Sequence, residues 1–215
     1  MNQRQKEIVE IYNSIRSRIE TQLESFRRIW IEFDDKDIFA ELVFCLLTPQ
    51  SRAKSCWIAV NNLRKKNLLF NGCYNDINME LNLVRFKNRK TEYILLSRNL
   101  FITDGKISLK NSINQLDNVY SKRDWLVERI KGFGYKEASH FLRNIGFSEN
   151  IAILDRHILK NLRLSRVIDE IPDSLSKKRY IDMENRMKDY ATDIRIPLNH
   201  LDFVFWYMET GDVFK

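Results

Sequence analysis

Ile130-Lys131-Gly132-Phe133-Gly134-Tyr135-Lys136-Glu137-Ala138 is the stretch whose reading decides the fold. Helical spacing runs up to it through Trp125, Leu126 and Ile130, and away from it through Tyr135 to Ile145. Between the two, a pair of glycines around one apolar residue lets the chain reverse tightly while Phe133 plugs back between the helices. Gly146 closes the second helix, so three of the six glycines in the chain fall in this short stretch. Ser121 is expected to cap the first helix, with Asp124 in its first turn. The pattern over about 121–146 is a helix-hairpin-helix.

Such a turn exposes its amides beside the positive N-terminus of the second helix, which together suit a phosphate oxygen. Contacts of that kind position a duplex without reading its bases. Gly132, Phe133 and Gly134 are therefore candidate DNA-phosphate ligands, with room for a monovalent cation on the hairpin carbonyls. A tight structural turn that binds nothing is the plain alternative.

Outward from the hairpin, helical periodicity dominates. Residues 2–30 place Ile8, Ile11, Tyr12, Ile15, Ile19 and Leu23 on one face of a long amphipathic helix. A second helix begins near Asp37 and stops before Pro49; Ser51 is expected to cap a third. Shorter helices are predicted near 75–84, 89–102 and 109–119. Asp155 opens a basic helix from Arg156 to Leu164, and helices over about 174–192 and 198–209 follow, the last with Pro197 at its first position. The fold class is all-α.

Composition agrees. The 215 residues are 44% hydrophobic and 30% charged, with only 3 Pro and 6 Gly, too few punctuators for an all-β protein. A formal charge of +7 favours an anionic partner, nucleic acid before membrane. No apolar run reaches membrane-spanning length and none begins the chain as a signal peptide would, so a cytoplasmic protein is expected. Cys45, Cys56 and Cys73 contain no CxxC pair, and neither they nor His140, His157 and His200 are spaced as metal ligands.

Lys136 falls in the first turn of the second hairpin helix, where an acidic residue would suit the dipole better. A lysine amine is a nucleophile only when neutral, and a site facing the positive helix end is chemically useful for that reason. Asp155 sits at an N-cap, where its carboxylate finds amide donors; this role alone would justify it. A fixed carboxylate also stabilises the oxocarbenium character that develops when an N-glycosidic bond breaks. Together the two residues suggest attack at C1′, loss of a base and an iminium that permits β-elimination.

The block from Ile130 to Asn144, followed by Ile153-Leu154-Asp155-Arg156-His157, resembles the helix-hairpin-helix DNA glycosylases. Within them it is similar to the compact archaeal-type family of 8-oxoguanine DNA glycosylase/AP lyases, also found in some bacteria. The likeness extends to Glu41–Thr48, Ser176–Tyr180 and the tail from Trp206 to Thr210 that ends in Lys215, about two thirds of the chain. The resemblance implies Lys136 as Schiff-base nucleophile and Asp155 as catalytic carboxylate. It implies two helical lobes with DNA across the cleft: one central, about 36–146, the other joining 1–35 to 147–215. The implied partner is double-stranded DNA containing oxidised guanine, handled by a monomer without cofactor.

A base under attack must leave the helix for a pocket, where stacking contributes about 1–3 kcal/mol. The resemblance raises Phe86 and Trp206 as stacking residues, although Trp206 sits in a run that core packing also explains. 8-Oxoguanine carries a proton on N7, so recognition needs an acceptor there; the resemblance implies that the C-terminal residue, here Lys215, lines the pocket, and its α-carboxylate is the candidate. Gln50 lies where related enzymes place a wedge that fills the vacated gap, a position more often Asn in the compact family. His140 is read as a phosphate contact or a packing residue, and His157 as support for Asp155. Two alternatives stand beside this reading: the same chemistry on another damaged base, and a non-catalytic DNA-binding module.

Overall fold

The computed structural model describes residues 1–103 and 105–214. Among these, twelve helices account for the fold: α1 Gln3–Glu32, α2 Asp35–Leu47, α3 Ala53–Lys65, α4 Leu68–Asn71, α5 Tyr74–Glu80, α6 Lys87–Phe101, α7 Leu109–Asn114, α8 Val119–Arg129, α9 Tyr135–Asn144, α10 Arg156–Leu164, α11 Lys177–Asp193 and α12 Leu198–Thr210. A two-residue antiparallel ribbon, β1 Ile102–Thr103 with β2 Lys106–Ile107, links α6 to α7. The all-α expectation holds.

The helices form two lobes around one continuous core. In the first, α2 is buried along its whole length after the opening turn and packs on α3, α6, α7 and α9. In the second, α12 collects α1, α10 and α11. Helix α9 touches both, since it lies against α2 on one side and α1 on the other. Its C-terminus explains the close approach: Gly146 adopts φ +93°, Phe147 N–H donates to Leu142 O at 2.8 Å, and a Cβ on Gly146 would stand 2.9 Å from Arg27 Cα.

Local chemistry departs from the sequence reading at several ends. Asn118, not Ser121, caps α8 by accepting from Tyr120 N and Ser121 N, because the helix begins three residues earlier than expected. Asp124 therefore lies past the first turn, where it accepts from Tyr135 Oη at 2.6 Å and Lys177 Nζ at 3.0 Å. Helix α3 starts after Arg52 without a side-chain cap, and Ser51 instead accepts from Arg85 N at 3.0 Å. Asp34 caps α2 ahead of Asp37, α7 ends at Asn114, and Pro197 stands just before α12 rather than inside it.

Two ion pairs, both with each partner more than nine-tenths buried, fasten the hairpin to the second lobe. Arg123 of α8 grips Glu184 of α11 through two bonds of 2.6 and 2.9 Å, and Arg143 of α9 reaches Asp202 of α12 at 2.6 Å. Truncating one member of such a pair strands the other charge in a low-dielectric interior. Glu184→Gln or Arg123→Met is expected to cost about 3–5 kcal/mol, read as a fall in the urea midpoint with unchanged slope.

Candidate active site

The hairpin occupies residues 130–134 between α8 and α9. Gly132 has φ +93°, and a Cβ there would lie 2.4 Å from the Tyr93 ring, so both backbone and space require glycine. Gly134 is extended at φ −105° and forms the N-cap of α9, its amide donating to Glu137 Oε2 at 3.1 Å. Phe133 is buried, edge-on to Phe141 with ring centres 6.4 Å apart. The inserted plug expected between the helices is present.

Lys136, partly buried in the first turn of α9, holds its Nζ 3.3 Å from Thr48 Oγ1 and 3.7 Å from Glu137 Oε1. Thr48 is the C-cap of α2 and gives its own hydroxyl proton to Cys45 O at 2.8 Å, so Oγ1 is an acceptor toward the ammonium. Asp155 caps α10 as expected: Oδ1 accepts from His157 N at 2.8 Å and Ile158 N at 2.9 Å, while Oδ2 takes neither bond.

The approach to Asp155 is firmly held. Tyr180 Oη donates to Ala152 O at 2.6 Å and accepts from Leu154 N at 3.2 Å, and Glu184 Oε1 accepts from Ala152 N at 2.8 Å. The apolar run Ile151–Leu154 is thus a buried, non-helical lead-in to the carboxylate.

Asp202 is buried on α12 and paired with Arg143. Burial pushes its carboxyl up to about 6 despite the Arg143 guanidinium. The Asp155 charge acts in the same direction and Lys136 opposes it, so Asp202 lies within electrostatic reach of both.

A family model described as 8-oxoguanine DNA glycosylase matches residues 19–196, most of the chain. The chain belongs to that family. An 8-oxoguanine DNA glycosylase/AP lyase of Fusobacterium nucleatum is 48% identical over 209 residues, covering 97% of this chain and 96% of the relative. One from Methanocaldococcus jannaschii is 36% identical and covers 98% of each. The crystal structure of a Methanocaldococcus jannaschii 8-oxoguanine glycosylase/lyase in complex with a 15mer DNA containing 8-oxoguanine superposes with TM-score 0.88 at 34% identity, covering 98% of this chain and 99% of that one. The 8-oxoguanine DNA glycosylase of Thermotoga maritima gives 0.86 at 33% identity, with 98% of each covered. A Helicobacter pylori 3-methyladenine DNA glycosylase, at 14% identity and TM-score 0.59 over 81% of this chain and 86% of that one, shares the fold alone.

The remaining candidates of this glycosylase-family chain divide by position. Trp206 is partly exposed where its predecessors Phe203, Val204 and Phe205 are buried, and the His157 ring meets it edge-on at 5.1 Å. His157 gives Asp155 its amide, while its ring lies beside Glu209, with Nδ1 3.7 Å from Oε2. His140 is buried edge-on to Phe44 at 5.6 Å, a packing position and not a surface one for phosphate. Gln50 is exposed at φ 56° on the turn after α2. Phe86 is exposed at φ 58° beside it, since Arg85 N donates to Ser51 Oγ in that turn. Lys215 lies outside the described residues; Asp212, three positions before it, pairs with Arg18 at 3.6 Å and Lys54 at 3.1 Å.

Sequence reasoning missed Lys90, hidden within the basic run from Arg85 to Lys90. It is 4% exposed, and its Nζ donates to Leu47 O at 2.7 Å, Pro49 O at 2.8 Å and Ser51 Oγ at 3.1 Å. Cys56 Sγ shares Leu47 O at 3.2 Å, and burial pushes this thiol up to about 11. Desolvation lowers the Lys90 amine to about 8, helped by Lys136 and Arg85 and opposed by Cys56 and Glu137. Between about pH 8 and 10.5 the unfolded chain then binds the extra proton, so this group makes stability rise with pH. Cys56, raised in the fold, works in the opposite direction from pH 9 upward. In denaturant titrations, wild type minus Lys90→Met is expected to climb between pH 8 and 10; a flat difference contradicts this assignment.

Proposed function

We propose that the chain removes 8-oxoguanine from double-stranded DNA and then cleaves the strand, with Lys136 as nucleophile and Asp155 as its electrostatic partner. The observation that carries this reading is the placement of Lys136 in the first turn of α9, behind the Gly132–Gly134 hairpin, with Asp155 capping α10 and its Oδ2 left out of the capping bonds. An amine at a helix start and a carboxylate at another helix start are the two groups that N-glycoside cleavage followed by lyase chemistry needs. Family membership and the names of the relatives, 8-oxoguanine DNA glycosylase/AP lyase, support the same activity.

The neutral Lys136 amine attacks C1′ of the flipped nucleotide, the bond to the base breaks, and its electron pair leaves with the base, which takes up a proton. Asp155 Oδ2, left open by the capping amides, faces the positive charge that develops on the sugar. Ring opening gives an iminium to Lys136; loss of a C2′ proton then expels the 3′ phosphate, and water hydrolyses the enzyme free. Gly132, Phe133 and Gly134 hold the backbone at the hairpin. Trp206 and Phe86 provide the stacking faces, the α-carboxylate of Lys215 the acceptor for N7–H, and Gln50 the wedge beside the emptied position. One copy of the chain suffices for these steps.

Borohydride reduction tests the reading directly. Duplexes with 8-oxoguanine, uracil and thymine glycol should give a covalent adduct with the first alone, and Lys136→Gln should abolish it. Asp155→Asn should slow base release by about 100-fold or more while leaving duplex affinity intact. Deleting Lys215 should erase the preference for 8-oxoguanine over guanine. An adduct that survives Lys136→Gln would sink the mechanism, and uracil trapping would change the substrate.

A further inference from the structure

The C-terminal end of α2 does unusual work for a helix end. Its last carbonyls are orphaned by helix geometry and normally meet water or a glycine cap. Here Leu47 O and Pro49 O instead converge with Ser51 Oγ on one buried ammonium from α6, 2.7 to 3.1 Å away. Between these three anchor residues stand Thr48, which meets the Lys136 ammonium, and Gln50, exposed in the left-handed region where a side chain is disfavoured. Ser51 Oγ also receives Arg85 N, which ties in the turn bearing Phe86. A buried cation costs desolvation that an apolar residue of the same length would avoid.

We propose that Lys90 is the positioning residue of the Thr48–Ser51 turn, holding Gln50 at the angle from which it enters the duplex as the damaged nucleotide leaves. The proposal rests on the reading of Gln50 as a wedge given above. Lys90 touches neither base nor sugar and acts through the turn. In either protonation state its cradle is satisfied: the ammonium donates three bonds, and the neutral amine donates to the two carbonyls while accepting from the Ser51 hydroxyl. Methionine fills the same length and can satisfy none of the three.

Opening a paired lesion and reacting at a site that already lacks its base separate these roles. Single-turnover base release would be measured on an 8-oxoguanine·cytosine duplex, with 2-aminopurine next to the lesion reporting unstacking. Borohydride trapping would be measured on the same duplex carrying a preformed abasic site. Lys90→Met is expected to lose about tenfold or more in base release together with the unstacking signal, and to keep abasic-site trapping within about threefold. Ser51→Ala, which removes one arm of the cradle at small risk to folding, should show a smaller loss with the same bias.

Equal losses on both substrates, or none, overturn the proposal, since a residue that only stabilises the fold or tunes Lys136 would not favour one substrate. Should Lys90→Met fail to fold, an unbiased Ser51→Ala overturns it in its place. Gln50→Ala separates the underlying reading: if it is silent, the wedge assignment falls, and Lys90 is judged on the substrate bias alone. If Gln50→Ala is impaired, the Lys90→Met/Gln50→Ala double variant should be no worse than the weaker single variant, and additive losses overturn action through Gln50.

Discussion

An arginine buried away from water is tolerated only where a carboxylate answers it, and removing either member leaves a charge the interior cannot solvate. The hairpin carries one such arginine on each of its helices, Arg123 on α8 and Arg143 on α9, and both find their carboxylates on the last two helices of the chain. Register between the lobes follows from these contacts. Apolar surfaces can slide over one another at modest cost, whereas a bidentate guanidinium–carboxylate pair has one geometry. Each pair also reaches the chemistry. Glu184 continues to Ala152 N and so to the segment that delivers Asp155, while Asp202 lies between the influences of Asp155 and Lys136. The segments that carry Asp155 and Lys136 are thereby held by the same bonds that join the lobes.

What the sequence disclosed was what local chemistry determines. The Gly-x-Gly reversal, the plug of Phe133, the misplaced basic residue Lys136 and the capping carboxylate Asp155 were all legible, because turn geometry, helix caps and periodicity act over a few residues. Helix ends were read less well where several polar residues compete: Ser121 lost to Asn118, and Ser51 gave up a capping role for a tertiary one. Asp202 carried a faint signal as the single charge in Leu201-Asp202-Phe203-Val204-Phe205, and a buried partner could have been inferred from it. Lys90 carried none, since burial of one lysine in a basic run is decided by which face of α6 meets α2.

The end of α2 shows how a helix can be finished for function as well as for stability. Carbonyls at a C-terminus attract positive charge. Two lysines are drawn to this one terminus from different helices, Lys90 to the main chain and Lys136 to the Thr48 hydroxyl, and Gln50 is left exposed. The arrangement concentrates positive charge beside the hairpin, where an incoming phosphate backbone gains from it.

Gly146 has a different importance. With Arg27 Cα 2.9 Å from where its side chain would begin, α1 rests on the end of α9 main chain against main chain. Every replacement, alanine included, would have to prise α1, the longest helix among the described residues, away from the one that bears Lys136. A hydrogen atom at that point therefore sets how closely the beginning of the polypeptide can approach its middle.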